Sequence, residues 1–165
     1  MEPLAAMDFE MLAREVGHVL KKHEMKLATA ESCTGGGAAE LVTSVAGSSE
    51  WFDRGFVVYT NVSKREMLGV KTTTLSRFGA VSEQTAREMA EGAIAHSHAQ
   101  VALAITGIAG PSGGTPEKPV GLVCFSWAGK KRETKSAKHH FTGDRESVRR
   151  QSIAVALQGL LEFLH

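Results

Sequence analysis

Apolar side chains recur at helical spacing near the start of the chain, where Phe9, Leu12, Val16, Val19 and Leu20 share a stripe and Glu10, Arg14, His18 and Lys21 take the other face. This predicts an amphipathic helix opening after Asp8, whose carboxylate suits an N-cap. The short apolar run at 27–30 predicts a strand, the glycines at 35–37 a turn, and the residues to about Ser44 a helix. Phe56-Val57-Val58-Tyr59 is β-branched and aromatic, hence a second strand, followed by a helix over 62–68 that Asn61 would cap. Ser82 caps a helix to about His96, whose Ala86, Met89, Ala90 and Ala93 form a small-residue face suited to packing on a sheet. Val101-Ala102-Leu103-Ala104-Ile105 shows no polar alternation, as expected of a strand covered on both faces at a sheet centre. Residues 120–127 and 133–141 predict an antiparallel pair joined through Ala128-Gly129-Lys130, the second polar enough for an edge. The last helix opens near Asp144, with Val148, Ile153, Val155, Leu157, Leu160, Leu161 and Leu164 as its buried stripe.

Helices alternate with strands and one late hairpin interrupts the pattern, so the expected fold is a three-layer α/β/α sandwich with a mixed sheet. Length and composition agree: 165 residues, 42% hydrophobic and 22% charged, are enough for one domain spanning 1–165, with residues 1–22 packing on it as an N-terminal helix. Nineteen basic residues against eighteen acidic leave a net charge of +1, which disfavours nucleic acid and anionic membranes as partners. No apolar run approaches the roughly 20 residues of a membrane-spanning helix, and residues 1–8 lack a leader pattern, so a cytoplasmic location is expected. Cys33 and Cys124 are too few for a disulfide framework. The seven histidines have no carboxylate or cysteine at ligand spacing, so no metal and no cofactor is expected. Apolar helix faces suit a homo-oligomer as readily as a monomer core.

Ligands of open α/β sheets gather beyond the carboxyl ends of the strands. That rule selects three loops: 31–37, 60–64 and 106–121. The first reads Glu31-Ser32-Cys33-Thr34-Gly35-Gly36-Gly37, hydroxyls, a thiol and a carboxylate at a strand-to-helix turn whose amides favour an anion. The third, opening Thr106-Gly107-Ile108-Ala109-Gly110, is glycine-rich, able to present successive amides, and does not match the Walker pattern. Lys64, one turn into its helix, could reach back over the strand end; as a neutral amine it would take the proton of Ser32, forming a Ser-Lys dyad. Otherwise it is a solvated charge. Arg145, at the start of the last helix, could grip a phosphate bidentately or make a surface salt bridge. Cys33 is a rival nucleophile, with Glu31 and a lysine as the residue types of a cysteine amidase. Alternation along an extended segment would send Ser32 and Cys33 to opposite sides.

Together, Ala30-Glu31-Ser32-Cys33-Thr34-Gly35-Gly36, Tyr59-Thr60-Asn61-Val62-Ser63-Lys64, Gly79-Ala80-Val81-Ser82, Thr106-Gly107-Ile108-Ala109-Gly110-Pro111 and Gly143-Asp144-Arg145 resemble the CinA C-terminal domain family, the nicotinamide-nucleotide amidohydrolases. The order and spacing cover nearly the whole chain. The resemblance implies hydrolysis of the carboxamide of nicotinamide mononucleotide to nicotinate mononucleotide and ammonia, a step in pyridine nucleotide salvage. It implies Ser32 as nucleophile, Lys64 as general base and Tyr59 as an aid to the proton's path. Thr34 and Gly35 would donate to the oxyanion, with Gly36 and Asn61 beside them in the substrate site. Thr106, Gly107 and Gly110 would hold ribose and phosphate with Arg145, although the two glycine loops could exchange roles. Thr60 stands where the family usually has serine, and Gly37 and Ala38 where it has larger apolar residues. Two other classes compete: a pyridine-nucleotide-binding sensor or interaction module without turnover, and a structural protein whose glycines serve only turns.

Overall fold

Three parallel strands and an antiparallel hairpin make up the sheet. In this computed structural model, which describes residues 6–165 and side chains from Asp8 onward, they are β1 (Leu27–Glu31), β2 (Phe52–Val57), β3 (Val101–Gly107), β4 (Leu122–Gly129) and β5 (Arg132–His140), in the order β2-β1-β3-β4-β5. Residues 1–5, which open both the expected N-terminal helix and the stretch expected to lack a leader, lie outside the described residues. β1 pairs in parallel with β2 and β3, β4 runs antiparallel to β3, and β5 returns antiparallel along the edge. Helices α1 (Ala6–Lys22), α2 (Gly37–Thr43) and α6 (Arg145–Leu164) cover one face; α3 (Asn61–Leu68), α4 (Thr72–Phe78) and α5 (Glu83–Ala95) lie on the other. The three-layer α/β/α sandwich with a mixed sheet is the expected fold, and β3 is its central strand.

The two faces are built from different side chains. Along β3, Val101, Leu103 and Ile105 point into the cluster shared with α1, α2 and α6, whereas Ala102 and Ala104 point toward α5. The unbroken apolar run of β3 thus conceals an alternation of large and small. Against the alanines of β1, β3 and β4, α5 sets Met89, Ala90 and Ala93, so the helix lies close to the sheet. Gly92 continues this closeness sideways: a Cβ there would sit 2.0 Å from the Leu68 carbonyl oxygen of α3. On the opposite face Trp127 of β4 occupies the space at Gly159 and donates its indole N–H to the Ala156 carbonyl at 2.9 Å, fastening α6 to the sheet.

Several elements differ from the sequence expectation, among them the hairpin, where Ala128 and Gly129 continue β4 and the turn falls at Lys130-Lys131. α1 has already begun at Ala6, so Asp8 is not its N-cap but an acid in its first turn, where the helix dipole favours it. β2 runs over Phe52–Val57 instead of 56–59, because an exposed edge strand paired only to β1 tolerates Asp53, Arg54 and Gly55. α3 is capped by Thr60, not Asn61: Thr60 Oγ1 accepts from the Ser63 amide at 3.1 Å and Ser63 Oγ accepts from the Thr60 amide at 3.0 Å, a reciprocal capping box. α4 has no counterpart in the expectation, its three threonines being poor helix formers. Glu88 of α5 compensates by accepting from the Lys71 amide at 2.9 Å and the Thr74 hydroxyl at 2.5 Å.

Candidate active site

Parallel pairing brings the carboxyl ends of β1, β2 and β3 to one edge of the sheet, and with them the three loops that the sequence singles out. β1 ends at Glu31, so Ser32 begins a turn; its amide donates to the Ile105 carbonyl at 3.0 Å, pinning the turn to the central strand. From β2 the chain passes Val58 and Tyr59 into the Thr60 cap, and Lys64 follows one turn later. Its side chain returns toward the sheet, where Nζ lies 3.2 Å from Ser32 Oγ and donates to the Val58 carbonyl at 3.1 Å.

Lys64 is 1% exposed, among the largest fully buried side chains of the protein. An ammonium has three N–H groups, and the described residues offer this one two acceptors, Ser32 Oγ and the Val58 oxygen. A neutral amine would keep an N–H on Val58 and could turn its lone pair to the Ser32 hydroxyl, the arrangement a general base needs. Desolvation by burial lowers the Lys64 pKa from the ordinary 10.5, against a smaller opposing effect of Cys33. The same burial pushes the Cys33 thiol up to about 12, with Glu31 adding to the rise and the Cys33 amide, Arg149 and Lys64 opposing it. At neutral pH the thiolate fraction is then on the order of 10⁻⁵, which makes Cys33 a poor rival nucleophile.

Ser32 opens onto a cavity of about 340 Å³, at the small end of the range for small-molecule clefts. Of the expected site residues, Ser32, Tyr59, Thr106, Gly107, Gly110 and Arg145 line it. Arg145 closes one side, donating from Nη1 to the Gly110 carbonyl at 2.8 Å and from Nη2 to the Tyr59 hydroxyl at 3.1 Å. Thr106 donates its hydroxyl to the Ala80 carbonyl at 2.8 Å, joining the glycine loop to the turn before α5, and Lys118 reaches the Phe78 carbonyl beside it. Cys33 lines the cavity as well, contrary to the expected alternation, because Ser32 and Cys33 follow the end of β1 and are no longer extended.

Thr34, Gly35, Gly36 and Asn61 are not among the lining residues, and Lys64 lies behind Ser32, also outside the lining. The Thr34 hydroxyl donates to Glu31 Oε1 at 2.6 Å, and Thr34 borders a separate cavity between α1, α2 and α6. The Gly35 amide, expected to serve an oxyanion, donates to the Ser32 carbonyl at 3.0 Å. Gly35 and Gly36 adopt φ of +58° and +98°, so their glycine identity serves the backbone of the turn. Asn61 is an exposed first residue of α3. The sequence reading missed Ala80, Val81, Ser112 and Gly113 as cavity walls, and Val58, whose backbone oxygen holds Lys64. Gly79-Ala80-Val81-Ser82 carried a usable signal for the first two, a turn directly before a capped helix; a backbone carbonyl carries none. Among the described residues, no group of three or more His, Cys, Asp or Glu side chains is placed to hold a metal ion, and no helix is long and apolar enough to cross a membrane.

Fold and site together define an α/β domain with a buried serine–lysine pair at the carboxyl edge of a mixed sheet. The model of the CinA C-terminal domain matches residues 9–164, and the chain belongs to that family. A nicotinamide-nucleotide amidohydrolase PncC of Enterobacter agglomerans is 51% identical over 154 residues, covering 93% of this chain and 94% of that protein. The Escherichia coli K12 protein of the same name is 50% identical over 149 residues, 90% of each chain. The crystal structure of the competence/damage inducible protein CihA of Agrobacterium tumefaciens superposes with a TM-score of 0.95 at 44% identity, each chain covered completely.

Proposed function

We propose that this protein hydrolyses the carboxamide of nicotinamide mononucleotide to nicotinate mononucleotide and ammonia, with Ser32 as nucleophile and Lys64 as general base. The observation that carries the reading is the 3.2 Å approach of a buried, pKa-depressed Lys64 amine to the Oγ of Ser32, which lines the cleft. The names of relatives about half identical along nearly the whole chain support a nicotinamide nucleotide as the substrate.

Neutral Lys64 accepts the Ser32 proton as Oγ attacks the carboxamide carbon, and the negative charge moves to the amide oxygen. The new ammonium returns its proton to the amide nitrogen, the C–N bond breaks, and ammonia leaves an ester on Ser32. Lys64, neutral again, deprotonates water, which attacks the ester; the carboxylate departs and Ser32 regains a proton. The 106–110 loop and Arg145, which line the cleft beside Ser32, hold ribose and phosphate. Tyr59 lines the same cleft, and its hydroxyl accepts from Arg145.

The test is ammonia release from nicotinamide mononucleotide by the purified chain and by Ser32→Ala. The parent should turn over and the variant should not, at unchanged melting temperature. Undiminished turnover in Ser32→Ala rules out the serine mechanism, and saturable binding by the parent without product makes the chain a pyridine-nucleotide sensor.

A further inference from the structure

We propose that Glu31 is a positioning residue for the nucleophile, its buried carboxylate closing the 31–39 turn and so fixing the direction of Ser32 Oγ toward Lys64. The proposal rests on the amidohydrolase reading above. Glu31 is 1% exposed. Oε1 accepts from the Thr34 hydroxyl at 2.6 Å and the Ala38 amide at 2.8 Å, and Oε2 accepts from the Ala39 amide at 3.0 Å. The two amides belong to the first turn of α2, where helix N–H groups lack partners within the helix, so the carboxylate spans the turn from the end of β1 to the start of the next helix. Ser32 lies inside the ring this closes.

The backbone of Glu31 serves the other half of the pair. Its carbonyl accepts from the Val58 amide at 2.8 Å, and the Val58 carbonyl in turn accepts from Lys64 Nζ at 3.1 Å. One residue therefore touches both supports of the dyad, through its side chain on the serine side and its main chain on the lysine side. A carboxylate suits the place because all three donors are neutral and buried or partly buried, and each would lose its acceptor without it. A glutamine offers one acceptor oxygen and sets an NH₂ group against an amide N–H, a donor facing a donor.

The experiment measures kcat and KM for ammonia release from nicotinamide mononucleotide, with melting temperature, for the parent, Glu31→Gln and Thr34→Val at a temperature where all remain folded. A displacement of about 1 Å at a reacting atom costs roughly 10²-fold in rate. The expected result is a kcat loss of about that size in Glu31→Gln and about tenfold in Thr34→Val, with KM within about twofold of the parent. A role confined to holding the fold would lower the melting temperature and leave kcat of the folded enzyme intact, and that result overturns the proposal. Should Glu31→Gln fail to fold, Thr34→Val decides, since it removes one donor and leaves both α2 amides in place. A parent without turnover overturns the amidohydrolase reading and this proposal with it, whereas an active parent with an equally active Glu31→Gln overturns the proposal alone.

Discussion

Replacing Lys64 by methionine separates what the amine does for catalysis from what it costs the fold. Lys64 is 1% exposed, and burial holds its pKa below the ordinary 10.5. Between the folded value and 10.5 the unfolded chain binds more protons than the folded one, so stability rises with pH across that window. The slope reaches about 1.4 kcal/mol per pH unit. Below the window both states carry the charge, and the folded state bears the whole desolvation penalty. Methionine, unbranched and of similar length, escapes the penalty but deprives the Val58 carbonyl of its side-chain donor, a loss of about 1–3 kcal/mol. The two effects oppose each other, so urea unfolding at neutral pH should place Lys64→Met within about 2 kcal/mol of the parent. Between the depressed folded value and 10.5 the parent should gain on the variant as pH rises, while the variant's turnover falls by 10²-fold or more for want of the base. The rate limb of the parent should rise with pH through the same depressed pKa. Parallel stability–pH curves for the two proteins, or variant turnover within tenfold of the parent, would refute the assignment of a neutral amine.

The thiol gives a second check. With Cys33 at about 12, iodoacetamide at neutral pH should leave ammonia release intact, and Cys33→Ala should retain turnover within about threefold; loss of activity through alkylation of Cys33 alone would restore the cysteine mechanism. Gly92→Ala should lower stability by about 1–3 kcal/mol despite the better helix propensity of alanine, because its Cβ would meet the Leu68 carbonyl. Thermal unfolding reads this, and an unchanged or raised melting temperature would show that α3 can move aside.

Periodicity and punctuation alone made much of this protein readable. The stripe of α1, the Ser82 and Asp144 caps and the apolar run of β3 are local signals, and local signals fix the type and order of elements. That order selects the three-layer fold, and the fold sends 31–37, 60–64 and 106–121 to one edge. Where local preference and tertiary contact disagreed, the reading failed: three threonines do not announce α4, whose N-terminus depends on a glutamate from α5. β2 begins four residues before the expected strand for a related reason, since an edge strand needs only its neighbour's ladder and little apolar side chain.

The site divides in the same way. The sequence by itself determined which groups are available, a serine in a glycine turn, a lysine one turn into a helix and an arginine at another helix start, because such identities are properties of the chain. Tertiary structure alone decided that Ser32 Oγ and Lys64 Nζ meet at 3.2 Å, that Gly35 spends its amide on the Ser32 carbonyl, and that Glu31 ties the turn to α2. It also decided the direction in which the lysine's pKa moves, because desolvation depends on how completely every neighbour excludes water and no residue specifies that alone.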